Sequence, residues 1–201
     1  MDMVNRGIDG PTAVRDVDKK FKGLSGGVNT AHRVAPLACS FSLFASTADL
    51  AAAARLESSL THLSNDAADC SVAMAVIIRE LCNDTEWLVA LAIARSNVDT
   101  NSSTFVALTE PIAVLNDTDH LSRGGYAPHC LTAAIHFVHW STDFSSALHS
   151  SLDFAGAANY CPVLVAVLAE ARWGGCMQLA NMVDRKLVNR VAKAELDLFA
   201  L

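Results

Sequence analysis

The chain has 201 residues and a formal net charge of −6; 52% of its residues are hydrophobic and only 18% are charged. This length suffices for one domain with a sizeable core, and the scattered basic residues give no reason to expect a nucleic-acid partner. No apolar run approaches the length of a membrane span, and residues 1–10 lack the basic end and apolar core of a signal peptide. We therefore expect a cytoplasmic protein without a membrane or nucleic-acid partner, whose sparsely charged surface favours self-association or a missing partner segment.

The most polar stretch comes first. Residues 1–25 predict a connector punctuated by glycines, with one short helix over residues 13–21 that Thr12 caps. A domain rarely begins with so few apolar residues. We therefore expect this connector to continue from an upstream part of the protein. Residues 26–201 are then expected to form the domain itself.

Two helices are predicted in the next third of the chain, because apolar residues recur there at helical spacing. The first lies within residues 41–60, with Ser46 or Thr47 as its cap. The second begins at Asn65 or Asp66 and runs to residue 81. The buried sides are expected to hold Leu50, Ala53, Ala54 and Leu60 in the first helix and Ala73, Val76, Ile77 and Leu81 in the second.

The remaining apolar runs also have helical period or length. They predict helices over residues 87–95, 104–115, 130–140, 143–154 and 161–173, followed by an amphipathic tail over residues 177–201. Small and polar residues at 155–160 predict a turn ahead of the 161–173 helix, and Gly174-Gly175 end that helix. Since no segment alternates as a strand does, we predict an all-α domain of about eight to ten helices.

Six cysteines are spread along the chain without a CxxC pair: Cys39, Cys70, Cys82, Cys130, Cys161 and Cys176. Most lie in apolar segments, where a free cysteine behaves as a small hydrophobic residue. Without a secretory signal, we expect these thiols to be reduced and free.

Several polar features allow a functional and a structural interpretation. Gly26-Gly27 precede a helix start, where exposed N–H groups cradle anions, although such a pair most often forms only a turn. His62 follows a helix, where a lone histidine is most often structural or exposed. Residues 116–120 (NDTDH) contain side chains that could bind a metal ion, but they are adjacent in sequence and of types that favour turns. A solvated turn is therefore the better interpretation. His136 and His139 share a helix face without a third ligand, which favours a packed or surface pair.

Four stretches, in order along the chain, resemble the ADP-ribosylglycohydrolases, the enzymes that remove ADP-ribose from modified proteins. Residues 27–37 contain a glycine followed by Arg-Val-Ala-Pro-Leu, residues 60–62 read Leu-Thr-His, and Gly125-Tyr126 precede a helix. Residues 153–175 are similar to the closing motif of that family, an acidic turn followed by an apolar helix. The resemblance implies a compact multi-helix domain that lacks its N-terminal part.

The resemblance also implies a site. Its ligand-binding residues would be Gly27, Asn29, Thr30, Arg33, His62 and Tyr126. The family holds two magnesium ions with an N-terminal Thr-Asp-Asp run, absent here, and a closing Asp-x-Asp-Thr, which Ala157, Asn159 and Tyr160 replace. Hard divalent cations need charged oxygen ligands. We therefore assign no catalytic residue and no metal ligand and expect no cofactor, with magnesium bound only if a missing segment restores the site.

Three functional hypotheses follow from the resemblance. The first is a degenerate homologue that no longer hydrolyses anything and binds ADP-ribose or a related nucleotide weakly, or acts as a scaffold. The second is an ADP-ribosyl hydrolase completed by a missing N-terminal segment or a partner chain. The third is a helical protein-interaction domain without a ligand. The replaced aspartates favour the first hypothesis over the second, and His62 and Tyr126 favour it over the third.

Overall fold

The protein is helical throughout the part that the structure, a computed structural model, describes: residues 7–109, 117–158, 160–174 and 193. In these ranges the only β-type pairing is an isolated antiparallel bridge between Gly27 and Tyr126. The prediction of an all-α fold is confirmed. The helices are α1 Gly10–Lys20, α2 Asn29–His32, α3 Ala35–Cys39, α4 Thr47–Ser59, α5 Asn65–Cys82, α6 Trp87–Ser96, α7 Ser103–Ala107, α8 Ala127–Trp140, α9 Phe144–Ala155 and α10 Tyr160–Trp173, with a 3-10 turn at Gly156–Ala158.

Helix α5 forms the centre of the fold. It has 18 residues and contacts α2, α3, α4, α6, α7, α8 and α10. The prediction of one buried face was too narrow, because burial extends round the helix through every residue from Asp69 to Ile78. Small alanines let neighbouring helices approach from all sides, and Met74 and Ile77 fill the space between them.

Several helix starts differ from those predicted from the sequence. Asp9, not Thr12, caps α1, and its carboxylate accepts a hydrogen bond from the Thr12 amide at 3.0 Å. Helix α5 starts after Ser64, which places Asp66 in the first turn and not at the cap. Ser46 caps α4 as predicted. The helix starts are shifted by one to three residues from the predicted ones, because periodicity does not define where a helix begins.

The second half of the chain follows the predicted order of helices. Helix α8 begins at Ala127, three residues earlier than expected, because Pro128 is tolerated in a first turn. Asp143 caps α9 with a capping box. Helix α7 ends at Ala107, well before the predicted end of that helix, and residues 110–116 lie outside the described part. The predicted tail over residues 177–201 also lies outside it, apart from residue 193.

Leu60 is placed differently from the prediction. It was expected on the buried side of its helix, but its side chain is 64% exposed, whereas Leu50 and Ala54 are fully buried. Leu60 is the C-cap residue of α4, where the chain already turns towards His62.

Within the described residues, no helix is both long and apolar enough to cross a lipid bilayer.

Candidate ligand-binding site

Two loops from distant parts of the chain are joined side by side next to α5. The Val28 amide donates to the Gly125 carbonyl at 3.1 Å, and the Ala127 amide donates to the Gly26 carbonyl at 2.9 Å. These bonds flank the bridge between Gly27 and Tyr126. They bring together the glycine pair ahead of α2 and the glycine–tyrosine turn ahead of α8, two stretches that the sequence analysis singled out separately.

Close approach, and not an unusual backbone angle, explains the glycines in the first loop. A Cβ on Gly26 would lie 3.0 Å from Tyr126 Cε2 and 3.4 Å from Ser64 Oγ. A Cβ on Gly27 would lie 3.3 Å from His62 Nε2. A side chain at Gly26 therefore forces the tyrosine ring to move.

A pocket of about 480 Å³ opens beside the joined loops, a volume typical of small-molecule sites. Its lining residues are Gly23, Leu24, Gly26, Gly27, Ser64, Asp66, Gly125 and Tyr126. The N-terminus of α5 faces this pocket through Ser64 and Asp66. Asp66 is the charged residue among these lining residues. Because its carboxylate is negative, the pocket wall does not favour an anion.

Tyr126 is held by its hydroxyl group. The hydroxyl donates to Asp66 Oδ2 at 2.5 Å and lies 3.4 Å from Ser103 Oγ. The ring also meets His129 edge to face, with the centroids 4.9 Å apart. Burial raises the pKa of Tyr126, and the hydrogen bond to Asp66 raises it further. The tyrosine is therefore a neutral, fixed part of the wall.

A chain of hydrogen bonds orients His62. Arg33 binds the Glu57 carboxylate through Nε and donates from Nη2 to Thr61 Oγ1 at 2.6 Å. Thr61 Oγ1 in turn lies 2.8 Å from His62 Nδ1. Because the threonine oxygen accepts from arginine, its own hydrogen points to Nδ1, and the neutral imidazole carries its proton on Nε2. That Nε2 faces Gly27.

The charge state of His62 follows from the same neighbours. Burial lowers the pKa of His62, and the positive charge of Arg33 lowers it further, against a smaller opposing effect of Glu57. His62 is therefore neutral at pH 7 and offers an N–H donor next to the pocket wall.

The six residues assigned to ligand binding by resemblance do not share one environment. Gly27 and Tyr126 line the pocket, and His62 lies directly behind Gly27. Arg33 is engaged by Glu57 and Thr61 and positions His62. Thr30 is fully buried and donates to the Ala67 carbonyl at 3.1 Å, which ties α2 to α5, whereas Asn29 is exposed at the start of α2.

The closing turn adjoins the pocket at Gly125. Tyr160, the first residue of α10, lays its ring against this glycine, where a Cβ would lie 3.1 Å from Tyr160 Cζ. Its carbonyl accepts a hydrogen bond from His32 Nε2 at 2.8 Å. Ala157 is exposed in the 3-10 turn, and Asn159 lies outside the described residues.

The described residues contain no group of three histidine, cysteine, aspartate or glutamate side chains arranged to hold a metal ion. His136 is buried and packs edge to face on His120 and Phe137. His139 Nδ1 accepts a hydrogen bond from the Trp87 indole at 3.2 Å. This histidine pair therefore has the packed environment that the sequence analysis favoured.

Sequence reasoning missed three contributors to the site. Asp66 was expected to cap a helix but holds Tyr126, and Glu57 was not noticed although it anchors Arg33. Tyr160 was read only as a replaced threonine, yet it covers Gly125. A carboxylate in the first turn of a long buried helix was the available signal for Asp66; no local signal pointed to the other two.

Comparison with known proteins identifies relatives of this chain. The sequence model of the ADP-ribosylglycohydrolase family matches residues 3–175. A solved structure of an ADP-ribosylglycohydrolase-related protein complex is similar in fold, with a TM-score of 0.58 at 20% sequence identity. The similarity covers 75% of this chain and 51% of that one, so the chain spans about half the length of the solved relative. A search of curated proteins gave no significant match.

Proposed function

The chain belongs to the ADP-ribosylglycohydrolase family, and from that premise we propose that it is a non-hydrolysing member which binds ADP-ribose or a related nucleotide weakly. One observation carries the proposal. Residue 157 stands where the closing motif of the family has its first aspartate, and here it is an exposed alanine. In the adjoining pocket wall, by contrast, hydrogen bonds hold the side chains of Tyr126 and His62 in place.

The wall supports nucleotide binding in two ways. Tyr126 is an aromatic ring held by Asp66 at the edge of a pocket of suitable volume, and aromatic rings stack well on nucleobases. His62 does not line the pocket, but its Nε2 approaches Gly27, so it supports the glycine part of the same wall. Both groups are ordered before any ligand arrives, which lowers the entropic cost of binding.

The closing turn does not fit the magnesium pair of the family. Ala157 has no side-chain oxygen, Asn159 offers only a neutral amide, and Tyr160 places a ring where the motif has a threonine. Charged oxygen ligands are what make a hard divalent cation bind. We therefore derive no metal-assisted step for this chain and infer that the family reaction is lost.

The same chemistry explains why binding is expected to be weak. The diphosphate of ADP-ribose is anionic, whereas the chain carries a net charge of −6 and Asp66 lines the pocket. Loss of two cations beside such a ligand weakens binding by about several kcal/mol, which lowers the affinity by well over ~10-fold. Magnesium is accordingly expected to make no difference to the affinity.

Calorimetric titration with ADP-ribose, in magnesium and again in a chelator, tests the proposal. We expect the same weak binding in both buffers, reduced by His62→Ala and unaffected by His149→Ala, which removes an exposed histidine on α9. Binding that disappears with the chelator would reveal a metal site and overturn the proposal. Complete absence of binding would favour a helical interaction domain without a ligand.

A working hydrolase remains the second candidate because the chain spans 51% of the solved relative. On that hypothesis a missing segment or a partner chain supplies the other carboxylates. An assay on ADP-ribosylated arginine and serine substrates, with and without magnesium, separates the two. Release of ADP-ribose above background by this chain would contradict our proposal.

A further inference from the structure

Two cysteines outside the pocket differ from the other described ones. Cys39 and Cys82 are exposed and free, whereas Cys70, Cys130 and Cys161 are buried. Cys39 is the last residue of α3 and Cys82 the last residue of α5, and these two helices pack against each other. The fold therefore brings two accessible thiols, far apart in sequence, to neighbouring helix ends.

Both cysteines line one groove of about 490 Å³ between α3, α5, α9 and α10. The other lining residues are Ala35, Ile78, Phe144, Ala166, Val167, Glu170 and Ala171. Both cysteines are exposed and line the same groove, so the groove gives a small reagent access to both residues.

The two thiols also interact with each other. Partial burial raises the pKa of Cys82, and the charge of Cys39 and a hydrogen bond with Cys39 raise it further. These effects agree with the geometry, in which both cysteines line the same groove at the ends of two packed helices. Arg79 acts in the opposite direction on the same thiol.

Arg79 holds the two helix ends in register. It lies one turn before Cys82 on α5 and is buried, and its guanidinium donates to the carbonyls of Ala38 at 2.6 Å and Leu37 at 3.4 Å. A third bond reaches the Phe44 carbonyl at 3.2 Å. The arginine thus pins the end of α3 beside α5, and its positive charge partly offsets the larger effects that raise the pKa of Cys82.

We propose that Cys39 and Cys82 form a redox-active dithiol, which a small-molecule disulfide such as oxidised glutathione converts to an intramolecular disulfide. The proposal is independent of nucleotide binding. It assigns a modification site to the groove, whose lining residues are all different from those of the pocket, although α5 contributes to both at opposite ends.

The reaction takes two exchange steps. One thiolate attacks a sulfur of oxidised glutathione, forms a mixed disulfide and expels one glutathione thiolate. The second protein thiol loses its proton, attacks the protein sulfur of the mixed disulfide and expels the second glutathione. The two protein thiols lose two electrons and two protons in total, and one oxidised glutathione becomes two reduced glutathiones.

Thiol counting on the folded chain tests the proposal. The reduced protein has six cysteines, and all six are expected to be alkylated after unfolding. After treatment with oxidised glutathione in native buffer, we expect two fewer alkylated thiols, a mass lower by two hydrogens and a peptide linking Cys39 to Cys82.

Three serine variants make the test specific. Cys39→Ser and Cys82→Ser are each expected to stop at a glutathione adduct on the remaining partner, while Cys176→Ser keeps the intramolecular link. Circular dichroism of each variant shows that it is folded. Six alkylated thiols after oxidation, or a linked peptide containing any other cysteine, would overturn the proposal.

Discussion

The wall of the pocket and the closing turn lie side by side, and Tyr160 touches Gly125 where they meet. In the wall, Arg33, Thr61 and His62 form one hydrogen-bonded chain, and Tyr126 is fixed by Asp66. In the turn, Ala157 is exposed and has no polar side-chain atom. The wall residues make hydrogen bonds within the fold as well as the ligand contacts that we propose, whereas an exposed side chain at residue 157 has no such bonds to make.

The two regions therefore differ in what a substitution is expected to cost in folding free energy. Loss of Arg33 would leave the Glu57 carboxylate without its partner, and one of its oxygens is already buried without a hydrogen bond. An exposed aspartate at residue 157 has no comparable role in stability. Substitutions in the wall should therefore cost folding free energy, and those in the turn should cost almost none.

The largest effect is expected for Gly26→Val. A Cβ there already stands 3.0 Å from the Tyr126 ring, so a branched side chain must displace a ring that Asp66 holds. We expect a loss of about 2–3 kcal/mol in the free energy of unfolding, measured by urea denaturation. Gly10→Val, where a Cβ meets nothing within 4 Å, is the matched control. Equal losses in both variants would mean that the wall is not tightly packed.

Arg33→Met is expected to rank second. It removes the partner of Glu57 and the donor to Thr61 while keeping most of the side-chain volume. Because the pair is partly exposed, the expected cost is about 1–2 kcal/mol by the same measurement. Arg33→Lys keeps the charge and should lose less. A cost close to zero for Arg33→Met would show that the hydrogen-bonded chain does not stabilise the fold.

The pH dependence of stability should report on His62. Its pKa in the folded state lies below the ordinary value of about 6.5, so the unfolded chain binds the proton more readily. The contribution of His62 is complete above pH ~6.5 and is lost as the pH falls through that value towards the folded pKa.

Denaturation curves of the wild type and of His62→Gln, measured between neutral and mildly acidic pH, isolate the contribution of His62 to stability, because the other histidines are common to both proteins. The variant should lose less stability on acidification. In an NMR titration, Arg33→Met should raise the pKa of His62. Parallel stability curves would contradict the proposed neutral state.

The smallest effect is expected from magnesium. If the closing turn cannot hold the metal, the thermal unfolding midpoint should be the same in magnesium and in a chelator. Calcium serves as a control for non-specific effects of divalent cations. A midpoint that rises with magnesium concentration and not with calcium would show a selective site and reverse our view of the turn.

The helices could be predicted from the sequence because their signals are local. The predicted helices at 87–95 and 143–154 agree with α6 and α9 to within one or two residues, since apolar spacing and a cap such as Asp143 act within a few residues. The cap of α1 and the start of α5 were wrong because several polar residues competed for one position.

The contacts of the site came only from the tertiary structure. Gly27, His62 and Tyr126 were singled out from the sequence, but nothing local showed that Tyr126 donates to Asp66 or that Tyr160 covers Gly125. The placement of Cys39 and Cys82 in one groove is of the same kind. Periodicity and capping encode which residues are helical, whereas the partner of each polar side chain depends on how helices distant in sequence pack round α5.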